Sequence, residues 1–182
     1  SDKLTFTFLL IARMLRDKGI AEFIEASILV SQQHPEISFV LAGPEDDSPN
    51  SLNIRELLTG VGSEKISYLG PLSDVRPAIE HADVFVLPSY HEGMPRTVLE
   101  AMSIGKPIIT TNVCGCKETV EEGLNGWLIP HQNSAILAEK MFWFIENKSR
   151  INEMGLHSRG LAVKYFDVNK VNQSILQILN AS

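Results

Sequence analysis

Runs of apolar residues as long as a β-strand alternate along the chain with segments patterned as helices, and this alternation limits the fold more than any other feature. The runs occupy residues 5–12, 36–42, 66–69, 84–87, 107–110 and 127–129. They are continuously apolar, which indicates strands that are buried on both faces. The sequence therefore predicts an α/β fold, a doubly wound (Rossmann-like) parallel sheet with helices on both faces.

The remaining segments predict the helices of this fold. We expect them over residues 19–34, around Ile54, Leu57 and Leu58, and over residues 75–81, 97–102, 134–146, 148–165 and 168–179. No repeat or flexible linker interrupts the pattern, so residues 1–182 are predicted to form a single domain. The chain begins without methionine and enters a strand almost at once, which favours a domain taken from a longer protein.

Composition excludes several classes of function. The formal net charge of −6 argues against a nucleic-acid or anionic-membrane partner, because both need a basic surface. No apolar run approaches the ~18 residues of a membrane span and no signal segment begins the chain, so we expect a cytoplasmic protein. Cys114 and Cys116 lie too close in sequence to form an unstrained disulfide, and they lack further ligands for a metal.

The segment of residues 89–102 carries the strongest chemical signal. Glu92 and Glu100 flank a turn from a buried strand into a helix, with seven residues between them, and Gly93 and Pro95 break the chain in the turn. Ligands of open α/β sheets bind at the carboxyl ends of the strands. The sequence therefore predicts a binding loop at this position.

The start of the following helix is predicted to face an anion. Pro95 suits the first helical turn because its missing N–H is not needed there, and the N–H groups of Arg96, Thr97 and Val98 would then be free. Glu100, one turn further along among apolar neighbours, would be costly to bury without a partner.

A cationic cluster follows the first predicted strand. Arg13, Arg16 and Lys18 fall within six residues, and a doubly wound sheet would bring their loop to the same edge as the glutamate loop. Arg13 and Lys18 could then close on a diphosphate held at the helix that starts near Pro95. The alternative is that these are solvated loop charges, partly neutralised by Asp17.

Taken in order, these elements resemble the C-terminal, donor-binding domain of a retaining glycosyltransferase of family four (group 1), which has the two-domain GT-B architecture. The resemblance covers nearly the whole chain. It rests on R-x4-K-G at residues 13–19, L-A-G at 41–43, Y-L-G at 68–70, A-D-V at 82–84, P-S at 88–89, E-x7-E at 92–100, G-K-P at 105–107, Gly115 with Glu118, and G-L-N-G at 123–126.

The resemblance implies roles for these residues. Arg13 and Lys18 would bind the donor diphosphate and stabilise the charge that develops on the leaving group, and Glu92 would contact hydroxyls of the donor sugar. No metal cofactor is then required. Segments after Gly43 and around Tyr68 would frame the base. Glu100 would hold the ribose hydroxyls. The other residues implied to bind the nucleotide-sugar are Gly93, Met94, Pro95, Thr97 and Val98.

Residues near the loop depart from the commonest family pattern. Many relatives have E-G-F-G where this chain has E-G-M-P at residues 92–95, and the variant resembles enzymes that build bacterial surface polysaccharides or lipid-linked oligosaccharides. Arg96 could bind phosphate or be solvated. His91 could bind the donor sugar or be merely exposed, and Glu118 could be a ligand or a local partner at a helix start.

The resemblance implies that the whole enzyme transfers a sugar from a UDP- or GDP-sugar to a hydroxyl of an acceptor saccharide or lipid-linked saccharide, with retention at the anomeric carbon. The acceptor would be held by an N-terminal domain that this chain lacks. That domain would also carry any peripheral attachment to the inner membrane. We therefore expect the isolated chain to bind donor weakly and to turn over negligibly.

The sequence bears on three other classes of protein. A Rossmann-type dinucleotide enzyme would need G-x-G-x-x-G after the first strand, where residues 13–19 have no such motif. A non-catalytic scaffold with a decayed transferase fold would be expected to have lost Arg13, Lys18, Glu92 or Glu100. All four residues are present in this chain. A GT-B epimerase or phosphorylase stays open and would be distinguished by its products.

Overall fold

Six parallel strands form one sheet in the computed structural model, which describes residues 5–59 and 64–166. The strands are β1 (Thr7–Ile11), β2 (Ser38–Ala42), β3 (Ile66–Tyr68), β4 (Val84–Leu87), β5 (Ile108–Thr111) and β6 (Gly126–Ile129). Their order across the sheet is β3-β2-β1-β4-β5-β6, which is that of a doubly wound fold. The predicted fold class is confirmed.

Helices connect or follow the strands. They are α1 (Ile20–Gln33), α2 (Ile54–Thr59), α3 (Arg76–His81), α4 (Arg96–Ile104), α5 (Ser134–Glu146) and α6 (Ile151–Phe166). The helix predicted over residues 148–165 divides into a short 3-10 turn, Lys148–Arg150, and α6. The helix predicted over residues 168–179 lies outside the described residues. Within the described ranges, none of the helices combines the length and the apolar character that a membrane span requires.

Both faces of the sheet carry a hydrophobic core, as the continuously apolar strands predict. Alternate residues of β1 point to opposite sides. Phe8 packs in one cluster with Phe23 of α1 and Met141 of α5, whereas Leu9 packs in the other with Met102 of α4. All four residues of β4 are buried, since this strand lies in the middle of the sheet with helices on both sides.

The direction of winding reverses between β1 and β4, and this reversal positions the candidate site. β1 pairs with β2 on one side and with β4 on the other, and the helices that follow β1 and β4 pack on opposite faces, so the two loops border a crevice. Gly19 lets these loops approach each other. It has φ +72°, and a Cβ added there would lie 2.2 Å from the carbonyl oxygen of Pro88.

Candidate functional site

Lys18 and Glu92 form an ion pair at this crevice. Lys18 ends the 3-10 turn that follows β1, and Glu92 lies in the loop between β4 and α4. The distance from Lys18 Nζ to Glu92 Oε1 is 2.7 Å, and each side chain is only 15% exposed. The sequence predicted that the two loops would share an edge, and the structure brings these two side chains into direct contact.

Asp17 anchors the glutamate loop to the loop after β1. Its carbonyl oxygen accepts a hydrogen bond from the Tyr90 N–H at 2.8 Å and lies 3.1 Å from the hydroxyl of Ser89. Its carboxylate lies 3.4 Å from Nε2 of His91, whose ring is exposed. Because three consecutive residues contact Asp17, the backbone that precedes Glu92 is fixed relative to Lys18.

Gly115 supports the same loop from the other side. It lies between β5 and β6 with φ +85°, and a Cβ added there would come within 2.4 Å of the carbonyl oxygens of Glu92 and Gly93. A Cβ added at Gly93 would meet nothing within 4 Å. Glycine is therefore required by protein packing at position 115, whereas any requirement for glycine at position 93 must come from a ligand.

The N-terminus of α4 lies next to this loop and has no side-chain cap. Pro95 precedes the helix, with ψ 89°, and the first helical residue is Arg96, so the expectation that Pro95 lies in the first turn was off by one position. Thr97 uses its hydroxyl structurally, donating to the carbonyl oxygen of Ile11 at 3.1 Å. Val98 is buried, so the first turn offers its backbone N–H groups and the exposed side chain of Arg96.

Glu100 is half-buried, not enclosed by its apolar neighbours as the sequence suggested. Its side chain is 34% exposed, because successive helical residues point about 100° apart and Val98, Ala101 and Met102 face the core instead. Nε of Arg96, a strongly exposed side chain, lies 3.6 Å from the Glu100 carboxylate. An exposed pair of this kind holds its partners weakly. The Glu100 carboxylate is therefore accessible to a ligand.

Arg13 contacts a different loop from Lys18. Its guanidinium lies 3.6 Å from Asp46, in the segment after β2, and its side chain is 63% exposed. Hydrogen bonds from Ser48, with a smaller contribution from the charge of Arg13, lower the pKa of Asp46. The structure thus places Arg13 at the edge of the sheet, as predicted, with its guanidinium directed towards the β2 side of the crevice.

The region expected to frame a base lies beyond β3. The hydroxyl of Tyr68 donates to the carbonyl oxygen of Gly43 at 2.7 Å, which ties the ends of β2 and β3 together. Burial raises the pKa of this tyrosine. Leu69 is exposed, and an open cavity of about 490 Å³ lies beside it, bordered by Arg55, Leu58, Thr59 and Gly70.

The cysteines and Glu118 lie in the segment after β5. Cys114 is exposed, Cys116 is buried, and both thiols are free. Burial raises the pKa of Cys116. Glu118 is exposed in a 3-10 turn that has no side-chain cap. Across residues 5–59 and 64–166, no three His, Cys, Asp or Glu side chains are grouped to hold a metal ion.

Two residues at this edge were missed by sequence reasoning. The hydroxyl of Tyr90 donates to Glu22 Oε1 at 2.5 Å, across a separation of 68 residues. Tyr90 lies in the loop between β4 and α4 that carries Glu92, and Glu22 lies in the first turn of α1. No periodicity or spacing links the two, so the contact could be found only in the folded chain.

Comparison with known proteins identifies the family. The family profile described as "Glycosyl transferases group 1" matches residues 5–147, well over half of the chain. The chain belongs to the group 1 glycosyl transferases. The resemblance inferred from the order of its motifs is therefore confirmed.

Curated relatives of this transferase chain include two bacterial proteins. The N,N'-diacetylbacillosaminyl-diphospho-undecaprenol alpha-1,3-N-acetylgalactosaminyltransferase of Campylobacter jejuni is 32% identical over 170 residues, which cover 93% of this chain and 43% of the relative. The putative colanic acid biosynthesis glycosyltransferase WcaL of Salmonella typhimurium is 28% identical over 183 residues, with coverage of 93% and 43%. The chain spans less than half the length of either relative.

Solved structures with this fold include Anabaena Alr3699/HepE in complex with UDP. It superimposes with a TM-score of 0.87 at 26% identity, over 98% of this transferase chain and 50% of that chain. The same Anabaena protein in complex with UDP-glucose also gives a TM-score of 0.87, at 25% identity. These structural neighbours are GT-B glycosyltransferases, which agrees with the predicted fold.

Proposed function

We propose that this chain is the donor-binding domain of a retaining glycosyltransferase that moves a sugar from a UDP-sugar to an acceptor hydroxyl. The observation that carries the proposal is the Lys18–Glu92 ion pair, held at the topological switch point beside the uncapped N-terminus of α4. A cation, a carboxylate and free backbone N–H groups within one crevice suit a ligand that presents phosphates next to hydroxyls.

Lys18 would bind and stabilise the diphosphate leaving group. Its ammonium has three N–H donors, and the contact with Glu92 accounts for one of them. As the bond to the anomeric carbon breaks, negative charge accumulates on the diphosphate, and a preorganised ammonium together with the first N–H groups of α4 would stabilise that charge. Arg13, at the rim, would add a second cation after exchanging its exposed contact with Asp46 for phosphate.

The two glutamates would bind hydroxyl groups on either side of the diphosphate. Glu92 keeps one carboxylate oxygen, Oε2, outside its contact with Lys18, and that oxygen would accept hydrogen bonds from the donor sugar. The backbone of Gly93 and Met94 would approach the sugar closely, because no Cβ stands at position 93. Glu100 would accept from the ribose hydroxyls after Arg96 moves aside.

Uridine is the favoured base in this proposal. The choice of uridine rests on the UDP and UDP-glucose complexes of the Anabaena neighbour, which is 25–26% identical to this chain. The names of the curated relatives support a role in bacterial surface polysaccharide or lipid-linked oligosaccharide synthesis.

The acceptor would be bound by a separate N-terminal domain. The chain covers only 43% of each curated relative and 50% of the Anabaena structure, which leaves room for such a domain in proteins of that length. The reacting groups would meet in the cleft between the two domains. The isolated chain would therefore bind donor and turn over negligibly, and peripheral attachment to a membrane would belong to the other domain.

Saturation-transfer difference NMR tests the proposal, because it detects weak ligands directly. The chain would be mixed with UDP and, separately, with GDP, both in EDTA so that metal-bridged binding is removed. We expect saturation of the uracil and ribose protons of UDP and less of GDP. Saturation of GDP alone would overturn the choice of base, and saturation of neither nucleotide would overturn donor binding.

A further inference from the structure

Glu22 and Tyr90 connect helix α1 to the loop that carries Glu92. Glu22 lies in the first turn of α1, four residues after Lys18, and accepts the Tyr90 hydroxyl through Oε1 at 2.5 Å. Tyr90 is two residues before Glu92. The segments that carry Lys18 and Glu92 are thus joined by two side-chain contacts, the Lys18–Glu92 ion pair and the Tyr90–Glu22 hydrogen bond.

Tyr90 is held by several other groups. Its backbone N–H donates to the carbonyl oxygen of Asp17, and its ring lies 5.7 Å from the ring of His131. Burial, followed by the hydrogen bond to Glu22, raises the pKa of Tyr90 to about 12. Gln132 has φ 56°, a left-handed conformation that is unusual for a residue other than glycine. Segments after β1, β4 and β6 therefore converge on one phenol.

The second oxygen of Glu22 has no stabilising role of its own. Oε2 is buried and has no hydrogen-bond partner among the described residues. A buried, unpaired carboxylate oxygen lowers stability, so a residue selected for packing alone would not carry one here. Unsatisfied groups of this kind are expected where geometry serves a site.

We propose that Tyr90 and Glu22 are positioning residues, whose hydrogen bond fixes the loop of residues 89–95 so that Glu92 meets Lys18 and the donor sugar. The sugar-binding part of this inference rests on the proposed function. The positioning itself is a property of the free chain and can be measured without a ligand.

The experiment compares loop order in four variants by NMR. Tyr90→Phe and Glu22→Leu each remove the hydrogen bond, Glu22→Gln keeps an acceptor oxygen without the charge, and the Tyr90→Phe/Glu22→Leu double variant tests coupling. Tyr68→Phe is the matched control, because it deletes a partly buried hydroxyl that donates to a backbone carbonyl elsewhere. The readouts are amide exchange at residue 90, order parameters at residues 91–94, and the urea midpoint.

We expect Tyr90→Phe, Glu22→Leu and the double variant to lose order in this loop equally. Amide exchange at residue 90 should rise about tenfold or more, the order parameters should fall from roughly 0.85 towards 0.6, and the urea midpoint of Glu22→Leu should be unchanged or higher. Glu22→Gln should behave like the wild-type chain, and Tyr68→Phe should leave this loop unaffected.

Two results would overturn the inference. One is an ordered loop in Tyr90→Phe, which would show that the hydroxyl does not position it. The other is faster exchange across the whole sheet together with a lower urea midpoint in Glu22→Leu, which would make the contact one of general stability. Neither result depends on nucleotide binding, so failure here is distinct from failure of the proposed function.

Discussion

The ammonium of Lys18 and the carboxylate of Glu92 lie 2.7 Å apart although 74 residues separate them in the chain. Each group belongs to a different loop at the switch point of the sheet, and each is assigned by the proposal to a different part of one donor molecule. Because the two groups are hydrogen-bonded, a phosphate that binds Lys18 would also change the interactions of the Glu92 carboxylate, which is proposed to hold the sugar.

The pair should be energetically coupled. Lys18→Met or Glu92→Gln leaves the other partner largely buried without its counter-ion, so each single variant should lose about 1–3 kcal/mol of unfolding free energy. The double variant should lose less than the sum, with a coupling of about 1 kcal/mol or more. Urea unfolding measures both quantities. The pair Lys140 and Glu139, in which the Glu139 side chain is 61% exposed, is the control, and its coupling should be near zero.

Strict additivity of the Lys18 and Glu92 substitutions would contradict this prediction. It would mean that the two groups interact no more strongly than a pair of solvated surface charges.

Gly115→Ala should lower the unfolding free energy by more than the left-handed backbone of position 115 alone would cost. Gly70→Ala is the matched control, because Gly70 also has a left-handed backbone, with φ +69°, but a Cβ there would meet nothing within 4 Å. The control should lose about 1–2 kcal/mol from the left-handed conformation. Gly115→Ala should lose that amount plus the cost of displacing the carbonyl groups of Glu92 and Gly93. Equal losses in urea unfolding would show that the loop moves aside freely.

Glu100→Gln should weaken UDP binding without weakening pyrophosphate binding. The carboxylate is proposed to accept the ribose hydroxyls, and hydrogen bonds to a charged acceptor are stronger than those to a neutral amide. The UDP dissociation constant should rise roughly fivefold to tenfold, while that of pyrophosphate, which has no ribose, stays the same. NMR titrations measure both, with exposed Glu139→Gln as the control. An unchanged UDP dissociation constant in Glu100→Gln would contradict a contact between this carboxylate and the ribose.

Tyr90 should make stability fall at high pH. Its folded-state pKa of about 12 lies above the value of about 10 expected in the unfolded chain, so the folded state holds the proton more tightly. The stabilisation is complete below about pH 10 and is lost as the pH rises towards 12. Between pH 9 and pH 11 the wild-type chain should lose about 1 kcal/mol more unfolding free energy than Tyr90→Phe.

Subtraction of the Tyr90→Phe profile removes the contributions of lysines and of Tyr68, which titrate in both proteins. Parallel profiles for the two proteins would indicate that the phenol is not held in its protonated form.

The bounds of a strand or helix could be predicted from local sequence where polar residues, proline or a capping side chain mark its ends. β4 was predicted at residues 84–87 and is found at Val84–Leu87, because four apolar residues stand between Asp83 and Pro88. Helix α5 likewise matches its predicted bounds, and Asn133 caps it by accepting from the N–H of Ile136. The first strand was predicted too long, since the apolar pattern continues beyond the residues that pair with β2.

The candidate site was only partly predictable. Parallel strand order brings the loops of Lys18 and Glu92 to one edge, and this followed from the alternation of elements. The directions of the side chains did not follow, since they depend on rotamers and on neighbours distant in sequence. Arg13 therefore contacts Asp46 rather than joining Lys18, and Glu22 contacts Tyr90 without any signal in the sequence.

The most direct test of the account is an amide NMR titration of the chain with UDP, run in parallel on the Arg13→Ala/Lys18→Ala double variant. If the Lys18–Glu92 crevice binds the nucleotide, amides of residues 93–100 in the wild-type chain should shift in a saturable manner at millimolar UDP, and the double variant should show no such shifts. A wild-type loop that stays unperturbed at several millimolar UDP, or shifts that persist unchanged in the double variant, would contradict the claim that this crevice is the donor site.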